Sequence, residues 1–110
     1  MGAVLVLGDP MFSDHYARLG DLAGRQRLPA MRFLRRAVPA GALMSYGLDL
    51  PDQRPRIAVY VDKILRGAKP ADLPVEQPSR FSLVANLKTA RELGITIAQV
   101  VLLQADEVIR

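Results

Sequence analysis

The stretch that decides the fold is "AVLVLGDPMFSD", residues 3–14. Its first five residues are a continuous apolar run of strand length, which is typical of a parallel sheet covered on both faces. Gly8-Asp9-Pro10 breaks the run, and Ser13 or Asp14 is predicted to cap a following helix. Apolar residues then recur at helical spacing to about residue 26. The segment therefore predicts a strand, a loop and a helix in that order.

The next residues extend the same pattern. "PAMRF", residues 29–33, predicts a short strand, and "GALMSYG", residues 41–47, predicts a third one. Residues 35–41 between them predict a turn or one helical turn. Strands that alternate with helices in this order predict an α/β fold with right-handed crossovers. We expect residues 1–110 to form one lobe of three layers, a mostly parallel sheet flanked by helices.

The second half of the chain begins with an amphipathic helix. Asp52 is its predicted N-cap, Pro55 fits its first turn, and Gly67 is predicted to stop it. About three turns are expected. One apolar stripe runs along the helix and consists of Ile57, Tyr60, Val61, Ile64 and Leu65.

The remaining segments alternate between extended and helical patterns. Three prolines between residues 69 and 80 favour an extended strap across a surface. "FSLVANL" predicts a strand, after which Asn86 is expected to cap a helix that Gly94 ends. Residues 95–105 are apolar and fit a helix or a strand equally. "DEVIR" predicts a short last strand.

Composition excludes several classes of function. The chain has no Cys and one His, so disulfides, thiolate chemistry and a His-based metal site are not expected, and neither is any cofactor. The net charge of +4 comes from scattered residues. A solvated basic surface is therefore favoured over a phosphate-binding face, and we expect no nucleic-acid partner.

Patterns of catalysis are also missing. "VLVLGDP" lacks the glycine pattern of a dinucleotide site and the Lys-Ser/Thr pair of a phosphate loop. No Ser lies in a nucleophile elbow. Asp9, His15 and Tyr46 have no spacing that demands an acid–base set, and a surface or capping role is expected for His15. The sequence predicts no catalytic residues and no enzyme.

Five segments, in order, resemble one known family. They look like the carboxyl-terminal part of ABC-transporter substrate-binding proteins with a type I periplasmic binding protein fold. The resemblance covers nearly the whole chain, and "YVDKILRGAKPADLPVEQPSRFSLVANLKTARELG" is its most specific string. The segments are "VLGDPMF" (6–12), "HYARLGDLAGRQRLPAM" (15–31), "AGALMSYGLDLPD" (40–52), "IAVYVDKILRGAKPADLPVEQPSRFSLVANLKTARELGITI" (57–97) and "ADEVI" (105–109).

The resemblance implies a function and partners. Family members capture a small solute between two lobes and deliver it to a membrane permease. This chain would then be the second lobe without its amino-terminal lobe, and its solute an amino acid. The family implies a periplasmic location, whereas residues 1–10 show no signal peptide and the chain as written would stay cytoplasmic.

Two loops are the predicted ligand contacts, because solutes bind at the carboxyl ends of strands in such folds. Asp9 and Pro10 belong to the first loop, where Asp9 would pair with a solute ammonium group. Ser45, Tyr46 and Gly47 belong to the second, where Tyr46 offers an aromatic face and a hydroxyl. The alternatives are a turn closed by Asp9 itself and a packing role for Tyr46 at a hinge.

A different class of function remains open at this point. The chain would be a truncated structural domain with no ligand affinity of its own, since half a cleft buries only half a ligand. The stripe on the helix around residues 57–65 would then be exposed. Such a patch favours a homodimer through the surface that the missing lobe leaves.

Overall fold

The computed structural model describes residues 2–110 and divides them into two compact units. One unit contains the residues up to Gly47 together with Ser82–Arg110, and the other is Leu48–Phe81. The first unit contains most of the sheet and all of the buried apolar residues. The second consists mainly of one long helix and the strap that follows it.

Within residues 2–110, five strands form one sheet whose spatial order equals their order in the chain. The strands are β1 (Val4–Leu5), β2 (Ala30–Arg32), β3 (Met44–Leu48), β4 (Phe81–Asn86) and β5 (Glu107–Ile109). The pairs β1–β2, β2–β3 and β4–β5 are parallel. The predicted α/β fold with a mostly parallel sheet is confirmed.

The β3–β4 pair is the exception to the parallel arrangement. At one end the amide of Asn86 donates to the carbonyl of Leu43 at 2.8 Å, and at the other the amide of Asp49 donates to the carbonyl of Arg80 at 3.4 Å. Residue numbers rise along one strand and fall along the other, so the two strands run antiparallel. Because β1, β2 and β3 are parallel to one another, their carboxyl ends lie at the same edge of the sheet.

Two short helices replace the single helix predicted after the first strand. They are α1 (Pro10–Asp14) and α2 (Tyr16–Arg25). Ser13 and Asp14 were the wrong caps, because Asp9 caps α1 and Pro10 occupies its first turn, where a missing N–H costs nothing. A single 3-10 turn, Arg35–Ala37, follows β2 as expected.

The carboxyl-terminal helices agree with the sequence patterns. The side chain of Asn86 accepts a hydrogen bond from the amide of Thr89 and so caps α4 (Leu87–Leu93), which ends at Gly94 with φ 70°. Residues 95–105 were predicted to form either a helix or a strand, and they contain a helix, α5 (Gln99–Gln104). The predicted last strand is β5.

The core of the first unit is built from small residues, as a chain with 5% aromatic residues requires. Close packing of small side chains needs close backbone approach, which leaves little tolerance for added volume. The buried apolar residues are Ala30, Ala37, Val38, Ala42, Leu43, Val84, Ala85 and Ala90.

The second unit begins with α3 (Leu50–Leu65), which is longer than predicted. Asp49 rather than Asp52 precedes the helix, and Pro55 lies inside it. The helix ends at Leu65, shortly before Gly67, which has φ 105°. One 3-10 turn, Pro70–Asp72, interrupts the extended strap. The Tyr60 hydroxyl donates to the carbonyl of Pro74 at 2.5 Å and fixes the strap to the helix.

Candidate functional site

A small pocket lies in the first unit where β1 and β2 end. Its walls come from the segments after these two strands and from α1 and the first residue of α2. This is the edge at which parallel sheets of α/β proteins bind ligands. The pocket is lined by Val6, Leu7, Gly8, Phe12, Ser13, Tyr16, Arg32, Phe33, Leu34 and Ala37.

Arg32 is the charged residue of the pocket. It ends β2 and is only 5% exposed. Its Nη2 donates to the carbonyl of Phe12 at 3.3 Å, which is long for such a bond, and it forms no ion pair with any residue from 2 to 110. Burial lowers the pKa of the Arg32 guanidinium below its ordinary value, because the charged form loses hydration.

The two neighbouring arginines have partners. Arg35 forms two hydrogen bonds to the carboxylate of Glu107, at 2.6 and 2.5 Å, and this carboxylate raises the pKa of Arg35. Arg36 donates to the carbonyl of Ser13 at 2.9 Å, and its guanidinium lies 4.9 Å from the centre of the Tyr16 ring. Arg36 thereby helps to hold α1 and α2 against the segment after β2.

Phe33 fixes the spacing between the strands at this edge. A Cβ on Gly8 would lie 3.4 Å from the Phe33 ring, whereas a Cβ on Gly47 would lie 2.2 Å from the Phe33 carbonyl oxygen. The backbone of β3 therefore approaches Phe33 so closely that only glycine fits at position 47. This packing contact explains why glycine occupies position 47.

The first predicted loop lies beside the pocket. Asp9 and Pro10 are exposed, and neither lines the pocket, although the adjacent Gly8 does. Oδ1 of Asp9 accepts a hydrogen bond from the amide of Met11 at 2.8 Å. The carboxylate thus closes its own turn, which is the alternative that the sequence left open.

The second predicted loop is not a loop. Ser45, Tyr46 and Gly47 lie inside β3, which continues to Leu48. Strand alternation points Ser45 and Gly47 into the protein and leaves Tyr46 52% exposed. Ser45 pairs in register with Arg32. The assignment of Ser45, Tyr46 and Gly47 to a loop is wrong, since these polar and small residues continue the strand.

Sequence reasoning missed Arg32 and underused Phe12, Ser13 and Tyr16. The signal for Arg32 was a charged residue inside the otherwise apolar "PAMRF", at a position where a covered strand has no solvated face. Within residues 2–110, no group of three or more His, Asp or Glu side chains is placed to hold a metal ion. In the same part of the chain, no helix is both long enough and apolar enough to cross a membrane.

Comparisons with solved structures give close matches. A Streptococcus pneumoniae protein described as an ABC domain in complex with L-Trp is 33% identical, with a TM-score of 0.89, over 97% of this chain and 37% of that one. A conserved domain protein from Vibrio cholerae O1 biovar El Tor is 29% identical, with a TM-score of 0.87, over 97% of this chain and 35% of that one. This chain thus spans little more than a third of either protein.

A more distant structure shares the fold. It is an open, ligand-free substrate-binding protein with adhesive properties from Clostridium difficile, 20% identical, with a TM-score of 0.66, over 96% of this chain and 36% of that one. A comparison with curated proteins finds no match. The family model for ABC transporter substrate-binding proteins matches residues 1–109, and the chain therefore belongs to that family.

Proposed function

We propose that this chain is a solute-binding lobe of an ABC transporter substrate-binding protein. It captures a small solute without covalent chemistry or catalysis and passes it to a membrane permease. The family match over residues 1–109 carries this proposal. An amino acid is the proposed solute, because the Streptococcus pneumoniae relative was solved with L-Trp and is similar over 97% of this chain.

The proposed lobe works with a second one. The solved relatives extend well beyond the matching part, which is 35% of one chain and 37% of the other. The chains of those proteins are long enough to contain a second, amino-terminal lobe. Such a lobe would supply the opposite wall of the cleft. We propose this two-lobe arrangement, with residues 1–110 as the carboxyl-terminal lobe.

The surface of α3 supports a partner for the second unit. None of its residues is buried, although Ile57, Val61 and Leu65 recur at spacings of four on one face. Ile57 is 61% exposed and Leu65 is 81% exposed. A contiguous exposed apolar row of this kind marks a protein–protein contact more often than a free surface.

We propose that the two predicted segments contribute to solute binding in different ways. Asp9 and Pro10 lie at the exposed edge beside the pocket, where the Asp9 carboxylate can meet an ammonium group. Tyr46 is 52% exposed as a residue. Ser45 and Gly47 are buried and support the strand from inside. As in the family at large, the protein would act on the outer side of the cytoplasmic membrane.

A thermal-shift screen of the purified chain against free amino acids and small carboxylates tests the proposal. We expect one class of solute to raise the Tm of the parent protein and to have less effect on Tyr46→Ala. Val75→Ala is the matched control, because Val75 is 96% exposed on the strap. A response shared equally by all three proteins would remove Tyr46 from the site, and no response to any solute would contradict solute binding by this chain.

The second candidate function is a self-associating structural domain without ligand affinity. The exposed row on α3 is the observation that favours it, since two copies would cover each other's apolar surface as a homodimer. Light scattering of the parent and of Ile57→Glu distinguishes the two functions. A dimer that this substitution dissociates, together with no solute response, favours the structural domain.

A further inference from the structure

We propose that Arg32 is the anchor for a carboxylate group of the solute and that this pocket selects carboxylates with an apolar body. The inference rests on the proposed function and adds the chemical class of the ligand and the residue that recognises it. Arg32 was not among the residues that the sequence predicted.

The first step is the unpaired charge. Arg32 is only 5% exposed as a residue, and a charge withdrawn from water needs an anion or several acceptors, because an uncompensated buried charge is destabilising. Arg32 has one long hydrogen bond to the carbonyl of Phe12 and no carboxylate partner among the described residues. The pocket lining holds no Asp or Glu side chain. The protein therefore keeps a positive charge here without supplying its counter-ion.

The second step is the contrast with nearby cations. Arg35 is neutralised by Glu107, which binds it in the two-pronged geometry that arginine and a carboxylate favour. Arg36 has the Ser13 carbonyl and the Tyr16 ring. Arg32 lines the pocket and has neither a carboxylate nor an aromatic partner of this kind, so it is the cation at this edge that a ligand carboxylate can satisfy.

The third step is the shape and polarity of the pocket. Its free space is about 10 Å³, which holds one water-sized group. An oxygen of a carboxylate fits this space, whereas the rest of a solute must lie outside it. Leu7 and Phe12 line the pocket and are 71% and 37% exposed. They offer an apolar surface to the body of a solute whose carboxylate reaches Arg32.

The test is a thermal-shift measurement on the purified chain with three probes: phenylacetate, 2-phenylethylamine and inorganic phosphate. The variants are Arg32→Met, which keeps the length of the apolar stem, and Arg36→Met as the matched control. In buffer alone we expect Arg32→Met to raise the Tm by about 4 °C, because it removes an unpaired buried charge. Arg36→Met loses two contacts and is expected to lower the Tm.

Phenylacetate at millimolar concentration is expected to raise the Tm of the parent and of Arg36→Met, and to leave Arg32→Met unchanged. The amine and phosphate are expected to have no effect on any of the three. Arg32→Lys keeps the charge but loses the fork, so its phenylacetate shift should be smaller than that of the parent. It also serves as the informative variant if Arg32→Met does not fold.

Two results would overturn the proposal. One is a parent protein that does not respond to phenylacetate, and the other is an equal response in the Arg32 variants. These failures are distinct from failure of the proposed function. An amino acid that stabilises the parent and Arg32→Met equally would leave solute binding intact and remove Arg32 from it. A phenylacetate shift that depends on Arg32, with no response to amino acids, would support the carboxylate site and contradict an amino acid as the solute.

Discussion

The substitution Gly47→Ala isolates the closest backbone contact beside the candidate site. A Cβ at this position would lie 2.2 Å from the carbonyl oxygen of Phe33 and 3.0 Å from Cδ2 of its ring. Carbon atoms of this type essentially never approach within 3.0 Å of another heavy atom, so the carbonyl must move by about 0.8 Å. The obstacle is backbone and cannot rotate away as a side chain would.

The expected cost is that of overpacking a close-packed interior, about 1–3 kcal/mol of unfolding free energy. For a domain of this size, that loss lowers the Tm by about 4–12 °C. Gly24→Ala is the matched control, because it lies in α2 and a Cβ there meets no atom within 4 Å. Alanine favours a helix over glycine by about 0.5–1 kcal/mol, so this variant should be more stable than the parent.

The assay is thermal unfolding followed by circular dichroism, with urea unfolding to give the free energies. The same chemical change should thus move stability in opposite directions at positions 47 and 24. A Gly47→Ala protein as stable as the parent would refute the close approach of β3 to Phe33.

Asn86→Ala should lower the unfolding free energy by about 1–3 kcal/mol, because it removes the cap of α4 and one of two hydrogen bonds to the Val38 carbonyl, which keeps the bond from the Gly41 amide. Asn86→Ser keeps a capping oxygen and should lose less in the same urea titration. Desolvation and then the neighbouring Glu76 carboxylate raise the pKa of Tyr60 from its ordinary value of 10.0. The folded state therefore holds the phenolic proton more tightly than the unfolded state, so this stabilisation is fully present below pH 10 and is lost as the pH rises through the folded pKa. Unfolding measured between pH 9 and pH 11 should show this loss in the parent but not in Tyr60→Phe.

The fold was predictable from local patterns in most of the chain. Asn86 and Gly94 marked both ends of α4, because capping and a left-handed terminus each demand a particular residue type. The bounds of α3 were less predictable: Asp52 was the predicted cap, whereas the helix begins at Leu50 after Asp49, and Pro55 lies deeper in the helix than the pattern indicated. The apolar segment at residues 95–105 fits either period, and only its packing selects the helix α5.

The candidate site was less predictable because its residues act through distant contacts. Tyr46 and the following Gly47 indicated the end of a strand, yet β3 continues to Leu48. Glycine is needed at position 47 because the Phe33 carbonyl lies so close, and not because the chain turns there. In the sequence, Arg32 is one of many scattered charges. The structure places it at the end of β2, where the residue is buried. A cation on a surface strand costs little, whereas Arg32 is a residue only 5% exposed that has one long hydrogen bond to a carbonyl and no carboxylate partner. The arrangement is costly for an empty protein and favourable for one that meets an anionic solute, which is why Arg32 carries more information about the ligand than the exposed residues of either predicted loop.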